Sequence, residues 1–126
     1  MGKNKVLIVD DEEDFLKIVK LNLEETGNYE VKTLPSAKDI ISVVHSFKPD
    51  VILLDMLMPM IGGVEACEML NEDPAGQDVP IIVVSALSKS QDKRKAYKEG
   101  VVIYVDKPIE KKELILAIER ALQFKR

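Results

Sequence analysis

The sequence predicts an α/β fold in which one parallel sheet is covered by helices on both faces. Two observations carry that expectation. Four short apolar runs, at residues 6–9, 51–54, 81–84 and 101–105, are continuous rather than alternating, the last broken only by Tyr104. A strand with solvent on one face alternates polar and apolar residues, whereas a parallel strand buried on both faces reads as an unbroken run of Val, Ile and Leu. Between the runs, apolar residues recur near a 3.6-residue period, so strand and helix alternate five times along the chain.

The elements follow in order. After the first run, Phe15, Ile18, Val19 and Leu23 mark a helix that stops at Thr26-Gly27-Asn28, where glycine can take the left-handed capping conformation. Residues 29–33, Tyr-Glu-Val-Lys-Thr, alternate and predict an edge strand. Ser36-Ala-Lys-Asp39 resembles a capping box opening a helix with Ile40, Ile41, Val44 and Phe47, which Pro49 ends. A third helix follows Gly63 with Ala66, Met69 and Leu70 inward, and residues 71–80 return the chain to the sheet. The fourth helix, opened by Ser88-Lys-Ser-Gln91, has almost only Ala96 and Tyr97 as core candidates and is expected to be the least firmly anchored. The last, from Glu110, repeats Leu114, Ile115, Ile118, Ala121 and Leu122, with Lys125 and Arg126 completing a charge gradient that suits the helix dipole.

Composition narrows the class. A chain of 126 residues suits one domain with one core, spanning 1–126, and shows no internal repeat or linker. At 46% hydrophobic and 32% charged residues it reads as globular, with no stretch approaching a membrane span. The N-terminus lacks the apolar stretch and cleavage site of a secretory signal, so a cytoplasmic location is expected. Eighteen basic against 22 acidic residues leave a net charge of −4, which argues against direct contact with DNA phosphates. The single cysteine, Cys67, excludes an internal disulfide and a multi-cysteine metal site and reads as a buried thiol, and His45 reads as an exposed helical residue.

The chemistry is expected at the strand ends, because ligands of an open parallel sheet bind beyond the carboxyl ends of its strands. Those ends deliver Asp10 and Asp11 from the first run, Asp55 from the run at 51–54, Ser85 from the run at 81–84 and Lys107 from the last. Taken singly, the acids could cap a helix, the serine could sit in a loop and the lysine could be solvated. Jointly, they face one cleft. Carboxylates brought together there repel by roughly 4 kcal/mol per pair at 4 Å and an effective dielectric near 20. An all-oxygen set without histidine or thiolate calls for a hard divalent cation, and an open site of this kind suits Mg²⁺. Such a site can bring one carboxylate up to an anionic phosphoryl group, with Lys107 and Ser85 on its other oxygens. Asp55 is the best nucleophile, since it ends a central strand and precedes a loop, Met56-Leu-Met-Pro-Met-Ile-Gly-Gly63.

Over almost its whole length the sequence resembles the receiver domain of two-component response regulators. The resemblance rests on Asp10-Asp11, on Asp55-Met-Leu-Met-Pro59 with Gly63, on Ser85-Ala86 and on Lys107-Pro108. It implies a flavodoxin-like three-layer sandwich with strand order 2-1-3-4-5, and a histidine kinase or phosphotransfer protein as donor to Asp55. It further implies Mg²⁺ held by Asp10 or Asp11 with Asp55 and the Leu57 carbonyl, and a switch in which Ser85 and Tyr104 move toward the phosphate together. Gly62, Val101-Val102 and Ile109 depart from common family residues without touching this chemistry. Leu57 and Leu87 stand where the family tunes hydrolysis, and both are apolar.

The fourth helix, last strand and last helix are expected to form the output face, with Lys89, Lys93, Arg94, Lys95 and Lys98 along the fourth helix and a downstream effector protein as partner. Three rivals are weaker. A flavodoxin-like electron carrier would set flavin phosphate against residues 10–14, all acidic, and an aspartate-nucleophile phosphatase would need a second aspartate where Leu57 stands. A pseudo-receiver that is never phosphorylated would not need the full set of site residues. No enzymatic turnover beyond self-phosphorylation and self-dephosphorylation is expected.

Overall fold

The computed structural model describes residues 2–86 and 89–124. Five strands, β1 Asn4–Val9, β2 Tyr29–Leu34, β3 Val51–Leu54, β4 Ile81–Ser85 and β5 Ile103–Asp106, alternate with five helices. These are α1 Glu13–Glu24, α2 Ile40–Phe47, α3 Gly63–Glu72, α4 Ser90–Lys98 and α5 Lys111–Ala121. All strand pairs are parallel, in the order β2-β1-β3-β4-β5.

The unbroken apolar runs are explained by two cores, one on each face of the sheet. Leu7, Val9, Ile52, Leu54, Ile81 and Val83 point to the side where α2, α3 and α4 pack. Their neighbours Val6, Ile8, Val51, Leu53, Ile82 and Val84 point to the side of α1 and α5. Successive strand residues face opposite sides, so every position of a central strand must be apolar when both sides are dry. Cys67 is a fully buried member of the first core, as its helical setting predicted.

Several expectations need correction. The last strand begins two residues later than its apolar run and is only half-buried, because β5 is the second edge of the sheet. Val101 and Val102 belong to the connection, where their amides bond to the Ala96 and Ile81 carbonyls. On α1 the buried face is Leu16, Val19 and Leu23, while Ile18 is 58% exposed. On α4 Tyr97 is 50% exposed, leaving Ala96 as its buried residue. No capping box opens α2: Asp39 makes no side-chain cap bond, and the Ser36 hydroxyl accepts from the amide of Lys38. The helix ends at Lys48 in the left-handed conformation, just before Pro49. Gly27 is left-handed as expected, at φ +80°. His45 is exposed but partnered, its Nε2 2.8 Å from Asp73 Oδ1 beyond the end of α3. Leu87, Ser88, Lys125 and Arg126 lie outside the described residues.

Candidate functional site

The carboxyl ends of β1, β3, β4 and β5 put Asp10, Asp55, Ser85 and Lys107 at one edge of the sheet. Asp10 directly follows β1, with its amide bonded to the Leu34 carbonyl, and Asp55 follows β3, with its amide bonded to the Val9 carbonyl. Ser85 is the last residue of β4, and its carbonyl accepts the Lys107 amide at 2.9 Å. Strand register thus fixes four side chains that are far apart in sequence. Asp10 is 1% exposed, Ser85 1% and Asp55 6%, which is unusual for ionisable and hydroxyl groups without partners.

Lys107 partners the two acids, and Tyr104 partners Ser85. The Lys107 ammonium donates to Asp10 Oδ2 at 2.7 Å and to Glu12 Oε1 at 2.6 Å, and lies 3.5 Å from Asp55 Oδ2. It also sits 4.3 Å from the centroid of the Phe15 ring, whose π-face attracts a cation. Asp10 Oδ1 accepts the amide of Glu12 at 2.9 Å, turning the chain from β1 into α1. Asp55 Oδ1 accepts the amide of Leu57 at 3.3 Å, and the Leu57 side chain is 56% exposed. Ser85 and Tyr104 are hydrogen-bonded through their side chains, and the Tyr104 ring packs partly buried against the α2, α3 and α4 core.

Electrostatics follow from this packing. Burial pushes the Asp10 carboxyl above its usual range, and the nearby Asp55 charge adds to that, although the bonds from Lys107 and the Glu12 amide pull the other way. Burial alone would lower the Lys107 ammonium, but the bonds to Asp10 and Glu12 outweigh it and raise it. Burial raises the Tyr104 phenol, against the opposing bond with Ser85.

Carboxylate oxygens of Asp10, Asp11 and Asp55 all lie within 4.8 Å of one another, with Asp11 exposed. Three acids against one ammonium leave two negative charges unbalanced before Glu12 is considered. An all-oxygen donor set of that charge, open on the Asp11 side, fits a hard divalent cation such as Mg²⁺.

The structure brings together Asp10, Asp11, Asp55, Ser85 and Lys107, with Tyr104 against Ser85 and Leu57 next to Asp55. Two residues at the site escaped the sequence reading. Glu12 reads as one more acid of residues 10–14 able to cap the first helix, and Phe15 as an apolar residue of that helix. The only signal for either was proximity to Asp10.

The comparisons with known proteins agree on one family. The family model described as response regulator receiver domain matches residues 6–119. Protein RcaC of Microchaete diplosiphon is 35% identical over 95% of this chain, which covers 18% of that protein. The chain spans half or less of the length of the curated relatives it first matches. Among solved structures, the Francisella response regulator 1452 receiver domain is 26% identical, with a TM-score of 0.85 over 96% of this chain and 98% of that one. The Vibrio cholerae chemotaxis protein CheY4, at 24% identity, shares the fold with a TM-score of 0.90 over 95% and 99% of the two chains. With a parallel sheet of order β2-β1-β3-β4-β5 and an acidic cluster at its carboxyl edge, the chain belongs to the response regulator receiver domains, phosphoacceptor modules of two-component signalling.

Proposed function

We propose that Asp55 accepts a phosphoryl group from a histidine kinase or a phosphotransfer protein, and that the chain then signals to a downstream effector protein. The observation that carries this reading is the setting of Asp55. It is nearly buried, lies at the end of a central strand, and has acidic oxygens within 4.8 Å on one side and the Lys107 ammonium at 3.5 Å on another. A carboxylate so placed is held in one orientation and has a cation ready for the charge that arrives.

In the transfer, an Asp55 carboxylate oxygen forms the new bond to phosphorus as the donor's bond to phosphorus breaks. Asp10, Asp11 and Asp55, with the Leu57 carbonyl, would hold Mg²⁺, which when bound would offset the negative charge gathered between acid and phosphoryl oxygens. Lys107 is already bound to Asp10 and Glu12, so a small motion of its ammonium suffices to reach a phosphoryl oxygen on Asp55. The Ser85 hydroxyl supplies a second donor, and on turning to the phosphoryl group it takes Tyr104 with it.

The added group brings roughly −1.5 to −2 charges. Shifting a two-state protein from 1:99 to 99:1 takes roughly 5.5 kcal/mol of differential interaction, within reach of a few charge-assisted bonds. The face of α4, β5 and α5 is the outlet. Tyr104 lies on β5, and α4 buries only Ala96 and carries exposed Arg94, Lys95 and Lys98 for an effector to read. The chain acts as a receiver domain in the cytoplasm, catalysing only its own phosphorylation and dephosphorylation. No described helix is long and apolar enough to cross a membrane.

The test is intact mass after incubation with acetyl phosphate and Mg²⁺. One added phosphoryl group on the wild type, absent from Asp55→Asn, is expected. Equal labelling of the two proteins would refute the assignment.

A further inference from the structure

Among the basic residues of α4, one is turned inward. Arg94, Lys95 and Lys98 are exposed, but Lys93 is partly buried. It stands three residues before Ala96, the buried residue of the helix, so the two share the face that meets the sheet. At that position an amphipathic helix ordinarily carries an aliphatic side chain. Here the ammonium rests 5.6 Å from the centroid of the Tyr104 ring, and none of the ion pairs among the described residues uses it. The ring beneath it reaches Ser85 with its hydroxyl, and Ser85 is buried at the acidic site.

We infer that Lys93 is a positioning residue that clamps the Tyr104 ring in its Ser85-bonded orientation and couples α4 to the phosphoryl site. The inference builds on the proposed response of Ser85 and Tyr104 to phosphorylation. Lys93 touches no reacting atom and acts through the ring. A cation over an aromatic face keeps its attraction only while the ring stays beneath it, so rotation of Tyr104 toward solvent forfeits the contact. The same contact is one of few holding α4, whose one fully buried side chain is the methyl of Ala96 and whose only other partly buried side chain is Asp92, next to Lys93. The carbonyl of Glu99, just past the helix, is held separately by Asn71 Nδ2 at 2.7 Å. Whatever frees Tyr104 therefore loosens the N-terminal half of α4 first. Ligand-induced ordering at Ser85 and displacement of Lys93 by an effector's acid become opposite ends of one equilibrium, and each must alter the other by the same factor.

The test compares Lys93→Met, which keeps length and apolar bulk, with Lys93→Arg, which keeps a cation able to stack on the ring. Tyrosine-ring NMR of the protein without any phosphoryl donor reads the orientation, with the Tyr104 signal assigned by Tyr104→Phe. In Lys93→Met the population of the solvent-turned ring should rise roughly two- to fivefold, the factor a surface cation–π contact supports. Amides at the start of α4 should exchange faster by a similar factor, with those of β1 and β3 unchanged, and Lys93→Arg should restore both. A Tyr104 ring signal identical in wild type and Lys93→Met, or a failure of arginine to restore it, would overturn the inference. Beryllofluoride with Mg²⁺ then separates the two ideas. Binding weakened by the same factor in Lys93→Met supports the coupling, and equal affinity contradicts it. If the wild type fails to bind, the acceptor reading has failed while the ring signal still decides the role of Lys93.

Discussion

Gly63, the first residue of α3, offers a sharp test of how the acceptor is held. A Cβ there would lie 2.6 Å from Met56 Cα, 2.8 Å from Met56 Sδ and 2.9 Å from the Asp55 carbonyl oxygen, where ordinary contact begins at 3.4 Å. The sulfur can swing away, but the two backbone atoms cannot. Gly63→Ala must therefore separate α3 from the loop after Asp55 by about 0.8 Å, straining the 3.0 Å bond from the Gly63 amide to the Met56 carbonyl. Overpacking of this kind costs about 1–3 kcal/mol. In a chain of this size that corresponds to a fall in Tm of about 4–12 °C. Since a misplacement on the order of 1 Å can slow a reaction up to about 10²-fold, self-phosphorylation by acetyl phosphate should slow about tenfold or more. Urea unfolding followed by far-UV circular dichroism should show a lower midpoint with an unchanged slope. Gly62→Ala is the control: its Cβ would meet nothing nearer than 3.6 Å, at an ordinary φ of −78°, and its effect should stay within about 0.5 kcal/mol. Unfolding and phosphorylation of Gly63→Ala indistinguishable from those of Gly62→Ala would refute the packing argument.

Three further outcomes follow from the same structure. Because burial raises the Asp10 carboxyl, the native state holds that proton more tightly than the unfolded chain, and stability falls as pH rises from the ordinary aspartate value of 3.8 through the raised one. Asp10→Asn should therefore be more stable than the wild type at pH 7 in chelator, with the gap closing under acid; a less stable variant, or a gap indifferent to pH, would contradict the sign. Lys48 closes α2 at φ 54° while exposed, so Lys48→Gly should stabilise the fold by about 1 kcal/mol in urea titration, and no gain would mean the left-handed turn carries no strain. The apolar Leu57 side chain beside Asp55 has no atom to orient an attacking water, so the aspartyl phosphate should persist well beyond seconds at neutral pH, as followed by phosphoryl loss in the mass spectrum; decay within seconds would count against it.

The central sheet was legible because burial on two faces leaves no freedom in composition. β1, β3 and β4 could be read as unbroken apolar runs, and their ends pointed to Asp10, Asp55 and Ser85. Strand order was not legible from those runs and came through the family resemblance. β5 was misread at its start because an edge strand need not be fully apolar, and Val101 and Val102 are apolar because the connection into β5 feeds both cores, Val101 the one under α4 and Val102 the one under α1 and α5. The phase of α1 was ambiguous because Phe15, Leu16, Ile18 and Val19 are all apolar, and only packing against β2 and α5 selects Leu16 over Ile18. Glu12 and Phe15 join Lys107 because of the angle at which α1 leaves β1, which no linear pattern records. The inward lysine of α4 was hidden for a related reason: Lys93 reads as one cation among five until the Tyr104 ring is placed beneath it.

The most direct measurement locates the phosphoryl group chemically. Borohydride reduces an aspartyl phosphate, and not a free carboxylate, to homoserine. Protein phosphorylated in Mg²⁺ and then reduced should yield, on peptide mass spectrometry, homoserine at position 55 alone. Homoserine at position 10 or 11, or an unreduced Asp55 in protein that carries the label, would contradict the account.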